Sequence, residues 1–353
     1  MPLNYHSKEG SPVSKRIVFC ADGTWDGTSN NTNVLKIFNA TLVTADQMPF
    51  YDNGVGSDGT PIEKLAGGAF GLGLFQKIKD GYTKISQVYD ADDELFLFGF
   101  SRGAYTARSL AGMIATCGLP TANFDDAMVD TAFNAYRNAD QRAALLASLS
   151  KYNLYNAKIT MVGVWDTVGS LGIPSLVGGV SPILYGFLDT TLHPDVLNAI
   201  QALAIDERRV EFPPTLWTGN PAAGQTVEQI WFCGCHSDVG GGTTPAAQDS
   251  GTALSDITLA WMMSKAAALG VQFAPVALAK YVIPAASKYA LDQINESWTP
   301  LWGFPVPRTI APNVSLSNSV ATRCQQVSTY RPSNLKFEDQ ALGSGYATVA
   351  TVG

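Results

Sequence analysis

The five-residue segment GFSRG at positions 99–103 most constrains how this chain can fold. It follows the apolar run 94–98 and precedes 104–114, whose apolar spacing is typical of a helix. A G-x-S-x-G sequence between a strand and a helix predicts a nucleophile elbow, where Ser101 occupies a strained turn and residues two positions away must be small. The sequence G-x-S-x-G alone is a weak signal, and the alternative is an ordinary strand–turn–helix with a buried serine.

The chain has three histidines, so few residues can act as the general base that a hydrolytic serine needs. His6 lies in a polar N-terminal segment, and His193 precedes a proline in a predicted turn. His236 follows the apolar run 230–235 and opens a glycine-rich loop. The carboxyl ends of strands are where an α/β sheet presents chemistry. A loop histidine with a structural role is the alternative, but beside an elbow His236 is the predicted base.

The acid of such hydrolases lies between the serine and the histidine along the chain. Asp166 fits this order, because it ends the apolar run 159–165 and precedes turn residues. From there it would bind the second imidazole N–H, fix the tautomer and stabilise the imidazolium. A cap on the following turn is the alternative role. Other candidate acids, none of which ends a comparable apolar run, are Asp189, Asp195 and Asp206.

These motifs make the chain resemble an uncharacterised α/β-hydrolase domain family related to the phospholipase effectors of bacterial type VI secretion, the Tle1-like catalytic domain. The matching stretches are DGTW at 22–25, TNV at 32–34, NGVG at 53–56, GFSRGAYTAR at 99–108, VWDTVG at 164–169, ALAIDERR at 202–209 and HSDVGGG at 236–242. They occur in the family's order, with Ala21 where the family usually carries Phe. The resemblance implies that Ser101, Asp166 and His236 form a catalytic triad.

Strand and helix patterns alternate along the chain, which predicts an α/β-hydrolase-like fold with a mostly parallel sheet, helices on both faces and loop insertions. Predicted strands span 16–21, 48–53, 94–99, 158–165 and 228–235, and predicted helices span 32–42, 74–90, 102–116, 124–148, 195–206 and 254–269. We expect a catalytic domain at 1–275 and an irregular, aromatic C-terminal extension at 276–353 packed on it. Residues 170–192 are a candidate lid or acyl-binding wall, with a packed surface excursion as the alternative.

Composition excludes several classes of protein. The 46% hydrophobic content supports one large core. A net charge of −7 without a basic stripe argues against nucleic acid and anionic lipid surfaces as partners. The five scattered cysteines are predicted to be reduced core thiols. With no secretory signal or stretch long enough to cross a membrane, the expected location is the cytoplasm, and export that needs no signal peptide stays open.

The loop after the predicted strand 16–21 is expected to supply one oxyanion donor. The predicted oxyanion hole is therefore the backbone N–H of Arg102 together with that of Asp22 or Gly23. Weak candidates for a cation site are Asp22, Asp26 and Asp238, which make no complete ligand pattern. No cysteine or histidine cluster has zinc spacing, so we expect no metal and no cofactor.

The sequence predicts a serine hydrolase that cleaves carboxylic esters through an acyl-enzyme. The expected partner is an acyl ester, lipid-like or otherwise, with phospholipids among the candidates. Two alternatives remain: a catalytically silent hydrolase scaffold used for binding, and a hydrolase of amide, polymer or polysaccharide ester bonds. Serine, aspartate and histidine at matching positions count against the silent scaffold, whereas the sequence does not separate the types of bond.

Overall fold

The computed structural model describes residues 14–23, 31–54, 68–121, 123–169, 190–282, 287–339 and 341–351. Its strands are β1 (Arg16–Ala21), β2 (Gln47–Asp52), β3 (Glu94–Phe100), β4 (Leu119–Pro120), β5 (Leu154–Tyr155), β6 (Ile159–Trp165), β7 (Asn198–Ala204), β8 (Thr226–Phe232), β9 (Ser315–Ser317), β10 (Phe337–Glu338), β11 (Ala341–Leu342) and β12 (Ala347–Val349). Its α-helices are α1 (Asn33–Ala40), α2 (Gly68–Ser86), α3 (Arg102–Cys117), α4 (Asp126–Arg137), α5 (Arg142–Leu149), α6 (His236–Gly240), α7 (Leu254–Ala268), α8 (Pro275–Ala277) and α9 (Asn318–Gln326).

The main sheet has eight strands in the order β12-β9-β8-β7-β6-β3-β1-β2, and neighbouring strands are parallel throughout. Parallel strands buried on both faces are nearly continuous apolar runs, and β1 and β3 have this character. The carboxyl ends of these strands share one edge of the sheet, which is where α/β proteins place their ligands. The predicted α/β-hydrolase-like fold class is confirmed.

Side chains of the central strands alternate between two hydrophobic clusters, because successive residues of a strand point to opposite faces. In β1, Ile17 and Phe19 pack in a cluster with residues of α2, α3 and α4, whereas Val18 and Cys20 pack with residues of α1 and α7. The helices therefore cover both faces of the sheet. In the described part of the chain, no helix is both long and apolar enough to cross a membrane.

Two of the predicted helices were wrong. Residues 195–206 contain strand β7, which pairs with β6 on one side and β8 on the other. Its alanines favour a helix, but pairing on both sides overrides that local preference. The predicted helix 124–148 is two helices, α4 and α5. Arg142, at the start of α5, donates to the carbonyl oxygens of Ala135 and Tyr136 and so satisfies the end of α4.

The segment after residue 275 packs on the core and also contributes strands to the main sheet. Its strands β9 and β12 extend the main sheet beyond β8. Leu316 and Val320 from this segment join Leu203 and Trp231 in a third hydrophobic cluster. The C-terminal region is therefore continuous with the main sheet. The candidate lid at 170–192 lies outside the described residues, except for its last three positions.

The five cysteines are all buried and free, as predicted for reduced core thiols. Burial is the main cause that raises the pKa of Cys117 and of Cys235, each to about 12. Because the thiolate is the reactive form, these side chains are inert at neutral pH.

Candidate active site

Ser101 joins β3 to α3 in a backbone conformation that few residues other than glycine adopt, with φ 57° and ψ −121°. Its N–H donates to the carbonyl oxygen of Trp165 at 3.0 Å, which ties the turn to the neighbouring strand. A Cβ at Gly99 would lie 2.4 Å from the carbonyl oxygen of Gly103, and a Cβ at Gly103 would lie 2.1 Å from that of Ala21. Close packing of backbone on backbone therefore requires both glycines around the serine.

The predicted acid lies beside the serine because β3 and β6 are neighbours. Phe100 pairs with Trp165 in the register of these strands, so the next residues, Ser101 and Asp166, both emerge at the carboxyl edge. Asp166 also has a positive φ, 42°. Its side chain is fully buried, so its charge needs partners in the protein.

The predicted base contacts the predicted acid directly. His236 begins α6 just after β8, and its Nδ1 lies 2.6 Å from Oδ2 of Asp166. The ring of Phe100, which precedes Ser101, lies against the imidazole with a centroid separation of 4.5 Å. The structure thus brings residues from three separate strand ends, Ser101, Asp166 and His236, to one edge of the sheet. Both Ser101 and His236 are buried.

The electrostatics favour a neutral imidazole. Burial lowers the pKa of His236 below its ordinary value of 6.5, and this outweighs the opposing hydrogen bond to Asp166. With Nδ1–H donated to Asp166, Nε2 carries the free lone pair that a general base requires. Burial would raise the pKa of Asp166, but the charge of Arg308 and the hydrogen bond from His236 hold it well below its ordinary range.

Arg308 is a site residue that the sequence reasoning missed. It is buried and donates to Oδ1 of Asp166 at 2.6 Å and to Oδ2 at 2.8 Å. It also donates to the carbonyl oxygens of Ala204 and Phe212, at 2.9 Å and 2.7 Å. One signal was available: Arg308 is the only charged residue between Glu296 and Arg323. A lone charge in such a stretch indicates a specific partner.

Three carboxylates hold the backbone that leads into His236. The N–H of Gly234 donates to Asp206 at 2.6 Å, that of Cys235 to Asp238 at 2.9 Å, and that of His236 to Glu207 at 3.2 Å. These bonds give the ALAIDERR and HSDVGGG motifs a structural role, since they fix the position of the imidazole.

The other candidate acids have different partners. Asp206 also accepts the hydroxyl of Tyr330 at 2.8 Å, and Asp195 lies 3.5 Å from Nδ1 of His193. Asp189 lies outside the described residues. Among the four aspartates that the sequence offered, Asp166 is the one observed to contact His236.

The N–H of Arg102 belongs to the first turn of α3, where backbone donors have no acceptor within the helix. On the opposite side, the N–H of Asp22 donates to Asp52 O at 3.0 Å and that of Gly23 to Oδ1 of Asp22 at 2.8 Å. Packing of Gly103 against the backbone of residues 21–22 brings this loop to the start of α3. To bind an oxyanion, the N–H of Gly23 would have to give up its hydrogen bond to Oδ1 of Asp22. The oxyanion hole therefore stays a prediction.

The acidic residues considered for a cation site are bound by protein donors. Asp22 accepts the hydroxyls of Thr32 and Tyr51 at 2.7 and 2.6 Å, and Asp238 accepts the side-chain amide of Asn295 at 2.5 Å. Asp26 lies outside the described residues. Within the described ranges, no three or more His, Cys, Asp or Glu side chains are placed to hold a metal ion.

Comparison with known proteins settles the family. The model of the family described as "T6SS, Phospholipase effector Tle1-like, catalytic domain" matches residues 15–265. The chain belongs to this family. The predicted family is thus confirmed. Ser101, Asp166 and His236 lie within the matched region, whereas Arg308 lies beyond it.

Individual relatives are more distant. An uncharacterized protein of Saccharomyces cerevisiae, YEL023C, is 28% identical over 245 residues, which cover 61% of this chain and 34% of that protein. The chain thus spans about a third of the length of this curated relative. The crystal structure of an uncharacterized protein from Pseudomonas aeruginosa is 15% identical with a TM-score of 0.49, covering 76% of this chain and 48% of that one. The Tle1 effector bound to the VgrG spike of the type 6 secretion system is 17% identical with a TM-score of 0.39, covering 69% and 56%.

Proposed function

We propose that this chain is a serine hydrolase that cleaves carboxylic esters of lipid-like compounds, phospholipids among them, through an acyl-enzyme. One observation carries the proposal: Nδ1 of His236 lies 2.6 Å from Asp166, at the sheet edge where Ser101 occupies a strained turn. A nucleophile, a base and an acid that orients the base are the three components of this chemistry.

In the proposed reaction, Oγ of Ser101 attacks the ester carbonyl and gives its proton to Nε2 of His236. Asp166 stabilises the imidazolium, which returns the proton to the leaving alcohol. The N–H of Arg102, with Gly23 as the proposed second donor, binds the oxyanion. Each such donor typically stabilises the transition state by about 3 kcal/mol. A water molecule activated by His236 then attacks the acyl-enzyme and releases the carboxylic acid.

Aromatic side chains beside the base support an apolar acyl group. Phe100 lies against one side of the His236 ring, and Phe212 makes an edge contact with it at a centroid distance of 5.1 Å. Trp302 continues this aromatic wall, 5.4 Å from Phe212. The family description adds phospholipids to the candidate substrates.

A fluorophosphonate probe tests the nucleophile directly. We expect mass spectrometry to place the adduct on Ser101 and labelling to disappear in Ser101→Ala. Ser237→Ala is the matched control, because Ser237 follows His236 in the chain yet has no role in the proposed mechanism. Labelling that persists in Ser101→Ala contradicts the proposal.

The substrate class is tested with nitrophenyl acyl esters, matched acyl amides and phosphatidylcholine vesicles, assayed on wild type and Ser101→Ala in parallel. We expect release of carboxylic acid from the esters and the vesicles by wild type alone. Cleavage of amides but not esters would favour the alternative that the protein is an amide hydrolase. A folded wild-type protein that cleaves nothing and takes up no probe would favour the binding scaffold.

A further inference from the structure

A cavity of about 290 Å³ lies beside α3, away from the proposed triad. Arg108, which lines it, follows Ser101 by seven residues, or about 10 Å along a helix that rises 1.5 Å per residue. None of the three proposed catalytic residues lines the cavity. Its volume is close to the lower end of ordinary small-molecule sites, about 300 Å³.

Arg108 is a buried cation with no acidic partner in the described part of the chain. It is only 4% exposed, its Nη1 donates to the carbonyl oxygen of Thr215 at 2.5 Å, and its guanidinium lies 4.3 Å from the ring centroid of Trp217. Its Nε is buried without a hydrogen-bond partner. Burial lowers the pKa of Arg108 to about 9, which still leaves it cationic at neutral pH. A buried charge without a counter-ion is costly, so an anion at this place would stabilise it.

A second arginine adds to the positive charge of the cavity. Arg142 lines it from the start of α5, and the acceptors of its side chain are the carbonyl oxygens of Ala135 and Tyr136. His193 also lines the cavity and contacts Asp195 at 3.5 Å. No carboxylate is among the described residues that line it. Two arginines in the lining of one cavity stand out in a chain whose net charge is −7.

The rest of the cavity wall is largely apolar. Trp217 stacks on Arg108, and Leu146 and Val162 are among the aliphatic residues of the lining. Guanidinium groups bind carboxylates and phosphates through paired hydrogen bonds, and apolar walls hold hydrocarbon. The occupant that fits both parts has an anionic head and an apolar body.

We propose that this cavity binds a small organic anion, with a carboxylate or phosphate monoester head on Arg108 and Arg142 and a hydrocarbon body against Trp217 and Leu146. The site is separate from the triad and needs no hydrolysis. The proposal of this binding site therefore does not depend on the proposed function.

Calorimetric titration of Ser101→Ala, in which turnover is blocked, tests the site with four probes. We expect octanoate or octyl phosphate to bind, and whichever binds more tightly identifies the head group. Octanol lacks the charge and inorganic phosphate lacks the hydrocarbon, so each should bind about tenfold more weakly or worse. Octanol that binds as tightly as both anions would overturn the proposal.

Charge-removing variants locate the site. Arg108→Gln and Arg142→Gln, each combined with Ser101→Ala, should weaken anion binding about tenfold or more. Lys151→Gln removes an exposed charge that does not line the cavity, and it should bind as the parent does. Because Arg108 is buried, circular dichroism checks the fold of its variant. Arg142 is only partly buried, so its variant decides the outcome if Arg108→Gln does not fold. Unchanged binding in the folded arginine variants would refute the site.

Discussion

Arg308 binds both carboxylate oxygens of Asp166 from a position 43 residues beyond the end of the family match, at residue 265. The proposed acid therefore has two side-chain partners, this guanidinium and the imidazole of His236, and it also accepts the N–H of Ala204 at 3.1 Å. A cation beside Asp166 weakens the attraction between its carboxylate and a protonated imidazole. We therefore expect Arg308 to help keep His236 in the neutral form that accepts a proton, in addition to burial and the charge of Arg209.

Replacing Arg308 with Gln should raise the pKa of His236, because the field of Asp166 would then act on the imidazolium alone. In the wild type, kcat/KM should fall only as the pH drops below 6.5, the ordinary value from which burial lowers this pKa. In Arg308→Gln that fall should begin at higher pH. Arg308→Lys retains the charge and should stay closer to wild type. The check is a pH–rate profile on a soluble ester, and an unshifted acidic limb in folded Arg308→Gln would count against this coupling.

Asp166→Asn should lower kcat by about four orders of magnitude while the protein stays folded, because the wrong imidazole tautomer would face Ser101. Asp195→Asn is the matched control, since Asp195 contacts His193 instead. It should change kcat by about twofold or less, as expected for a residue outside the site. Both variants are measured by ester hydrolysis beside circular dichroism. Near-normal turnover in Asp166→Asn would show that the acid has been misassigned.

Gly99→Ala should lower the free energy of unfolding by about 1–3 kcal/mol, because the new methyl group would meet the backbone of Gly103 at 2.4 Å. It should also lower activity by displacing the turn at Ser101. Gly345→Ala provides the control, since a Cβ there has no atom within 4 Å. Urea denaturation measures both. Equal midpoints for Gly99→Ala and wild type would mean that the turn can relax.

Glu207 should make stability depend on pH. Burial would raise its pKa, but hydrogen bonds and charge from Arg209 lower it from 4.5 to about 2. Its contribution is therefore fully present above the unfolded pKa of 4.5 and is lost as the pH falls towards 2. In urea unfolding, the difference in stability between wild type and Glu207→Gln should shrink over this interval. A difference that is constant with pH would contradict the role assigned to this carboxylate.

Local patterns in the sequence were sufficient to predict the turn at Ser101 and the positions of Asp166 and His236. Each of these residues follows an apolar run, so a few neighbouring residues were enough to predict that it lies at the end of a strand. Strand β7 was missed because its alanines have helix propensity, while its pairing partners lie far away in the chain. Strands β9 and β12 are three residues long, too short for alternation to be recognised.

Arg308 escaped prediction for a different reason. No periodicity links it to Asp166, and 142 positions of sequence separate the two residues. Its role depends on how the C-terminal region returns to the sheet edge, and that is a property of the whole fold.

The same separation has a consequence during synthesis. A ribosome adds about 5–20 residues per second, so Asp166 is made roughly 7–28 s before Arg308. Ser101 is made before that interval and His236 during it, yet the guanidinium that binds the proposed acid does not exist until the interval ends. The order of translation thus delays completion of the site until the C-terminal region has been made. A hydrolase that could damage the lipids of the cell producing it would remain incomplete until Arg308 has been added.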